Sequence, residues 1–266
     1  MHHSRAQIIA TIGTATRSLD YLRVLIDRGV DVVRLNFAQE TLEDHRKTIH
    51  NVRIAAAEHN RYIPIIGDLA GPRGIEGHSD NYNHRAISPI TPHDQEAIAF
   101  SIEQEIDYIA LAYVGSSEDI NDLRNIIWES NSSTRIIAKI ERIEALRNLN
   151  DIIETTDAIM IQRDNLSSDA PIEQVPFIQH NIIKLANWAH KPVIVANEIL
   201  NSVMENPIPT RADVSDVASA IISGSDALLL EEETNSGKYP VEAVEVMERI
   251  ILEAERHILN RDAHLL

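Results

Sequence analysis

The sequence predicts an α/β fold, a (β/α)8 barrel of the TIM type, in a single domain over residues 1–266. Three observations carry this expectation. Apolar runs alternate with amphipathic helical stretches eight times over about 250 residues, the usual size of such a barrel. Polar side chains fall at the C-terminal end of most runs, where barrel enzymes build their sites. A doubly wound open sheet is the alternative, but no glycine-rich dinucleotide fingerprint or phosphate loop supports it.

The elements follow in order. Residues 7–13 form a first strand, ended by Gly13. Residues 18–28 form a helix, with Ser18 placed as its N-cap and Gly29 just past its end. Residues 31–36 form a second strand and 42–58 a longer helix. The third strand is 63–68. Residues 70–92 break the rhythm with Gly71, Pro72, Gly74, Gly77 and Pro89, which predicts a long surface loop. The rhythm resumes with a helix at 92–104, a strand at 108–113 and a helix at 117–129. A fifth strand at 134–139 precedes helical turns over 143–154. The sixth strand is 158–161, followed by a polar turn and a long helix at 172–189. The seventh strand is 192–196. Thr210 and Asp213 form a capping box with a shortened acid for a helix at 211–223. The eighth strand is 227–230, and Pro240 opens the last helix, 241–259. Trp128 and Trp188 sit on helical patterns and are expected to pack.

Composition narrows the function classes. The chain is 44% hydrophobic, enough to fill a core, but only 4% aromatic, so the core is aliphatic. Lysine and arginine number 24 against 41 aspartates and glutamates, a net charge of -17. Such a chain repels phosphate backbones, so nucleic acid is not an expected partner. With no cysteine, disulfides, thiolate metal sites and cysteine nucleophiles are excluded. No apolar run reaches the roughly 18 residues that span a membrane. The N-terminus shows no signal-peptide pattern, so a soluble, cytoplasmic protein is expected. The 12 histidines are scattered; His78 and His84 share a loop, but no spacing matches a zinc site.

The stretch that carries chemistry is Lys139-Ile140-Glu141, at the end of the fifth strand. Strand side chains alternate, so the ammonium and the carboxylate point the same way. If the barrel closes, further polar residues converge on that end. They are Arg34 and Asn36, Asp68, the turn Arg163-Asp164-Asn165, Asn197-Glu198 and Glu231-Glu232-Glu233. The last triplet is expected to reflect loop geometry and a solvated face rather than a catalytic dyad.

These residues sit in motifs with a known order. Ile9-Ala10-Thr11-Ile12-Gly13, Asp31-Val32-Val33-Arg34-Leu35-Asn36-Phe37, Asp68-Leu69-Ala70-Gly71-Pro72 and Lys139-Ile140-Glu141 come first. Asn206-Pro207-Ile208-Pro209-Thr210-Arg211-Ala212-Asp213 and Gly237-Lys238-Tyr239-Pro240 follow. The ordered set resembles the central barrel of the pyruvate kinase family. In that family a lid domain follows the third strand and a regulatory domain follows the barrel. Here the loop 75–86 stands in the lid's place and the chain stops at Leu266, so the resemblance implies a bare barrel.

The resemblance also implies roles. Lys139 takes the place of the lysine that stabilises the enolate and the moving phosphoryl group. Glu141 takes that of the first carboxylate ligand of Mg2+ or Mn2+. Arg34 takes that of a phosphate-facing arginine, and Asn36 and Asp68 those of two K+ ligands. Several positions depart from the pattern. The second metal carboxylate falls at Asn165, which keeps an amide oxygen but no charge. Asp164 stands where a glycine belongs, and a one-residue shift would let it replace the missing ligand. Ser167 replaces another glycine and Ala38 a serine of the K+ site. Ile75 falls where an arginine is expected, with Arg73 two positions away as a substrate-binding candidate. Asn197 replaces a threonine near the enolate carbon, and loss of such general-acid help typically costs about 10²–10⁴ in rate. Two readings stay open. One is a divergent enzyme that binds a small 2-oxo acid or its enolate, of the pyruvate, phosphoenolpyruvate or oxaloacetate type, with a divalent metal and little ATP-forming activity. The other is a non-catalytic barrel that binds a ligand or a protein. A homo-oligomer through barrel contacts is compatible with both.

Overall fold

A computed structural model describes residues 4–72 and 88–263. Eight strands form a closed barrel, paired in the order β1-β2-β3-β4-β5-β6-β7-β8, so the open-sheet alternative does not hold. The strands are β1 (Gln7–Thr11), β2 (Val30–Asn36), β3 (Ile65–Asp68) and β4 (Tyr108–Leu111), then β5 (Arg135–Ile140), β6 (Ala158–Gln162), β7 (Val193–Ala196) and β8 (Ala227–Leu230). Between them lie α1 (Leu19–Arg28), α2 (Leu42–Glu58), α3 (Pro92–Glu103), α4 (Ser117–Glu129), α5 (Leu149–Thr155), α6 (Arg163–Asp169), α7 (Val175–Trp188) and α8 (Arg211–Ile222). A single turn, α9 (Glu232–Asn235), and the long α10 (Pro240–Ala263) complete the order. Among the described residues no helix is long and apolar enough to cross a membrane.

The chain divides into two compact units. The first comprises residues 1–34, 47–63 and 193–266. In it β1 pairs with β8, Gln7 opposite Ala227 and Ala10 opposite Leu230. β1 also pairs with β2 through a register shift between Ile8 and Ile9. Ser18 caps α1 by accepting the Tyr21 N–H, and Gly29 ends that helix at φ 119, a left-handed conformation that glycine adopts without a Cβ penalty. Thr210 and Asp213 form the expected capping box. The second unit comprises residues 35–46 and 64–192, and it holds the register β3-β4-β5-β6. Its α3 starts with a second capping box, Thr91 with Asp94, one oxygen of which also receives the Gly71 N–H. Gly71 itself sits at φ 65, where an added Cβ would lie 2.9 Å from Ala112.

One device recurs at the strand starts. A parallel strand begins with an N–H that its neighbour does not satisfy, and burial without a partner is costly. Here aspartates supply the acceptor. Asp31 takes the Ile8 N–H at 3.0 Å and Asp226 the Val193 N–H at 2.8 Å. In the second unit Asp107 takes the Ile65 N–H at 2.8 Å and Asp157 the Ile136 N–H at 2.7 Å. Asp226→Ala is therefore expected to lower unfolding stability by about 1–3 kcal/mol, read as a lower urea midpoint at unchanged slope. A loss below about half a kcal/mol would mean that water replaces the carboxylate there.

The structure departs from expectation in several places. Residues 163–169, expected as a turn, form α6. The helix expected over 172–189 begins as a 3-10 turn, Ile172–Gln174, and becomes α-helical only at Val175. Pro176, in its first turn, lacks the N–H that a continuous helix would need. Trp128 and Trp188 are not packing residues: they are 70% and 85% exposed. Both lie on helix faces turned to solvent, which a helical pattern alone does not reveal. The aliphatic core came out as expected, with isoleucine, leucine and valine filling most of it. Arg73, the loop 75–86, His78 and His84 lie outside the described residues.

Candidate functional site

The second unit contains the Lys139 cluster. β5 and β6 pair Lys139 with Met160, and Glu141 follows directly after the strand. Lys139 Nζ lies 3.0 Å from Asp68 Oδ1, at the end of β3, and 3.1 Å from Glu141 Oε1. All three residues are buried, at 3%, 1% and 0% exposure. Taking such charges out of water costs several kcal/mol per ion, so pairing is obligatory. One cation faces two anions, and neutral donors meet the remaining negative charge. The Tyr113 N–H donates to Glu141 Oε2 at 2.7 Å, and the Asn165 amide Nδ2 donates to Oε1 at 3.1 Å. Tyr113 reaches this position at φ 56, a left-handed conformation that costs a non-glycine residue roughly 1–2 kcal/mol. Such strain collects at sites that need a group aimed in one direction.

The other sequence candidates of this unit point elsewhere. Asp164 Oδ1 accepts the N–H of Asn165 at 2.7 Å, in the first turn of α6. Asn36 turns its amide oxygen onto the Ala38 N–H at 3.1 Å.

The first unit contains a second cluster. Arg34, 5% exposed, donates to Thr11 Oγ1 at 2.9 Å and lies 3.3 Å from Glu231 Oε1. Asn197 Nδ2 donates to Glu231 Oε2 at 2.5 Å. Asn197 and Glu198 both hold left-handed backbone, at φ 67 and 53, which aims the Asn197 amide. Glu233 Oε2 accepts the Glu231 N–H at 2.9 Å. The acidic triplet is thus not a solvated face: Glu231 is half-buried and Glu233 buried, and only Glu232 is exposed. Thr11 and Tyr113 were not legible as site residues, whereas Glu231 was placed at the strand end but read as part of a solvated face. The N–H of Tyr113 and the hydroxyl of Thr11 carry no sequence signal. The cue for Glu231 was its position directly after the eighth strand.

Burial pushes the Glu233 carboxyl up to about 7, an effect that two backbone hydrogen bonds only partly offset. The folded state therefore keeps this proton at pH values where the unfolded chain has lost it. Stability from this group is full below the ordinary glutamate value near 4.5 and is lost as pH rises through 7. The loss runs at up to about 1.4 kcal/mol per pH unit. Glu233→Gln is expected to flatten the decline in melting temperature between pH 5 and 8, in scans run across that range. An unchanged decline would assign it to other groups.

Whether a divalent cation fits can be judged from the donors. Mg2+ and Mn2+ want carboxylate oxygens open to the metal. Glu141 has both oxygens engaged by protein donors, and Asn165 presents an N–H rather than an oxygen toward it. No group of three or more histidine, aspartate or glutamate side chains arranged to hold a metal occurs among the described residues. The arrangement does not fit a divalent cation. Of the two residues placed in the K+ site, Asn36 accepts the Ala38 N–H on Oδ1 and Asp68 meets Lys139 with Oδ1.

Comparison with known proteins explains the motif order. A family model described as pyruvate kinase, barrel domain, matches residues 3–88 and 83–244. The chain belongs to the pyruvate kinase family. Its relatives include a pyruvate kinase of Thermococcus litoralis, 34% identical over 95% of this chain and 70% of that protein. A pyruvate kinase of Agrobacterium vitis is 32% identical over 96% of this chain and 69% of its own length. Pyruvate kinase 2 of a Synechocystis species is 30% identical over 96% of this chain and 58% of its own length. The alignment with the Thermococcus pyruvate kinase runs over 333 positions, although this chain has 266 residues. That pyruvate kinase therefore carries internal residues without counterpart here. The two matched stretches of the pyruvate kinase barrel overlap at residues 83–88, at the end of the loop 75–86 that stands in the lid's place.

Proposed function

We propose that this pyruvate kinase-family barrel binds a small 2-oxo acid or its enolate at the Lys139 cluster and acts on the enolate without efficient ATP formation. The observation that carries this reading is the buried ammonium of Lys139, held between Asp68 and Glu141 at the end of a barrel strand. A fixed cation in a site without water stabilises a developing oxyanion far better than it would in solution. Lys139 is the group that would hold the enolate oxygen. Enolate reactions that need no nucleotide suit such a site, including decarboxylation of an oxaloacetate-type acid and exchange of the methyl protons of pyruvate. The Arg34 cluster supports the lower weight given to phosphoryl transfer. Transfer relies on cations around the moving group, and Glu231 already lies against Arg34.

Calorimetric titration with oxalate, an enolate mimic, tests the binding, and loss of the pyruvate methyl signal in D2O tests the chemistry. Binding with exchange above the buffer rate supports an enzyme. Binding without exchange supports the second reading, a ligand-binding barrel, which the closed hydrogen-bond set around Glu141 favours. Tight ADP binding would restore the kinase reaction and overturn the proposal.

A further inference from the structure

Resting on that reading, we propose that the Asn165 carboxamide has taken the place of the divalent cation at Glu141, so that this barrel binds its 2-oxo acid independently of metal. The argument begins with charge. Lys139, Asp68 and Glu141 are buried together, one cation against two anions. A buried negative charge must be met by something positive or by aimed N–H groups. With a carboxylate at position 165 the negative charge would grow, and only a multivalent cation could bridge the two acids. With an amide there, the same position becomes a donor. Asn165 places its Nδ2 3.1 Å from Glu141 Oε1, the oxygen that also receives Lys139 Nζ at 3.1 Å. The Tyr113 N–H closes the other oxygen at 2.7 Å. Each Glu141 oxygen thus has a donor of this chain on it, and a metal would have to displace Asn165 before it could bind.

The local backbone fits this reading. Asp164, the acid beside it, does not face Glu141 as a substitute ligand in this arrangement. Its Oδ1 accepts the N–H of Asn165 at 2.7 Å, which fixes the first turn of α6 and with it the origin of the Asn165 side chain. The Asn165 backbone is thereby tied to Asp164, and its carboxamide meets Glu141. Asn165 acts as a positioning residue, holding Glu141 against Lys139 and keeping Lys139 aimed.

The test uses the full chain, with oxalate and Mn2+ as probes. Mn2+ alone is titrated first and followed by the loss of its free electron paramagnetic resonance signal. Oxalate is then titrated in EDTA and, separately, in millimolar Mn2+. The expected result is no Mn2+ occupancy of the protein alone and oxalate affinities that agree within about threefold in the two buffers. Occupied Mn2+, or an oxalate affinity that rises about tenfold or more with the metal, overturns the inference and leaves the 2-oxo acid reading standing. No oxalate binding in either buffer sinks that reading, while the Mn2+ titration still decides the question of the metal. Asn165→Asp supplies the converse. It is expected to bind Mn2+ at one site per chain, and the double variant Glu141→Gln/Asn165→Asp is expected to lose it. If Asn165→Asp folds, as judged by its circular dichroism, and takes up no metal, residue 165 is not what excludes the cation and the inference fails. If it is unfolded in EDTA, addition of Mn2+ should restore the fold, and failure to do so counts equally against it.

Discussion

Lys139→Met is expected to abolish oxalate binding and to destabilise the fold by about 3–5 kcal/mol, the usual cost of removing one partner from a buried ion pair. The substitution keeps a long apolar stem, so little volume is lost. What it removes is the cation, and Asp68 and Glu141 are then left 1% and 0% exposed as two facing anions. Chemical denaturation at pH 8 gives the size of the loss. A variant so destabilised would say little about function by itself. The double variant Lys139→Met/Asp68→Asn separates the two effects, because it restores the net charge of the cluster while leaving the ammonium absent. It should recover part of the stability and none of the oxalate binding. Oxalate bound as tightly by the double variant as by the parent protein would refute a role for the ammonium in holding the ligand. A double-mutant cycle on stability is expected to show coupling of roughly 1–3 kcal/mol between the two positions.

Glu231→Gln is the second large effect, and it is a gain. Glu231 lies 3.3 Å from the Arg34 guanidinium and receives the Asn197 amide at 2.5 Å. Replacing the carboxylate by an amide of the same shape removes the anion that competes with an incoming phosphate. Affinity for inorganic phosphate or phosphoenolpyruvate is expected to rise by about tenfold or more, a change of roughly 1.4 kcal/mol. Because the gain is electrostatic, it should fall as salt is raised. Arg34→Gln in the Glu231→Gln background should remove the gain. Equal phosphate affinity in the parent and in Glu231→Gln would mean that Arg34 is not the group held back. In the family resemblance Arg34 faces phosphate, so this variant asks whether one acidic side chain is what separates this chain from that behaviour.

The two clusters differ in how far they could be foreseen. Lys139 and Glu141 were legible because a strand's two-residue period fixes which side chains share a face, and the alternation needs nothing from the rest of the chain. The partner of Arg34 was not. Arg34 and Glu231 stand almost two hundred residues apart, and no periodicity links the end of β2 to the residue after β8. Glu233 and Glu232 are neighbours of the same residue type, yet one is buried and one exposed, because the single turn of α9 sends them in different directions. The tryptophans show the same limit from the other side. Their helical spacing is real, but spacing alone does not say which face of α4 or α7 meets the core.

By itself the sequence determined the β/α alternation, the closed-barrel expectation, the helix caps at Ser18 and Thr210, and the family. All of these rest on short-range pattern or on motif order, which are properties of the chain read along its length. Only the tertiary structure decided that Asn165 donates to Glu141, that Glu231 lies against Arg34 and that aspartates close the strand starts. These are contacts between distant residues in dry surroundings, where a buried charge or N–H must find a partner and the backbone path fixes which partner is in reach.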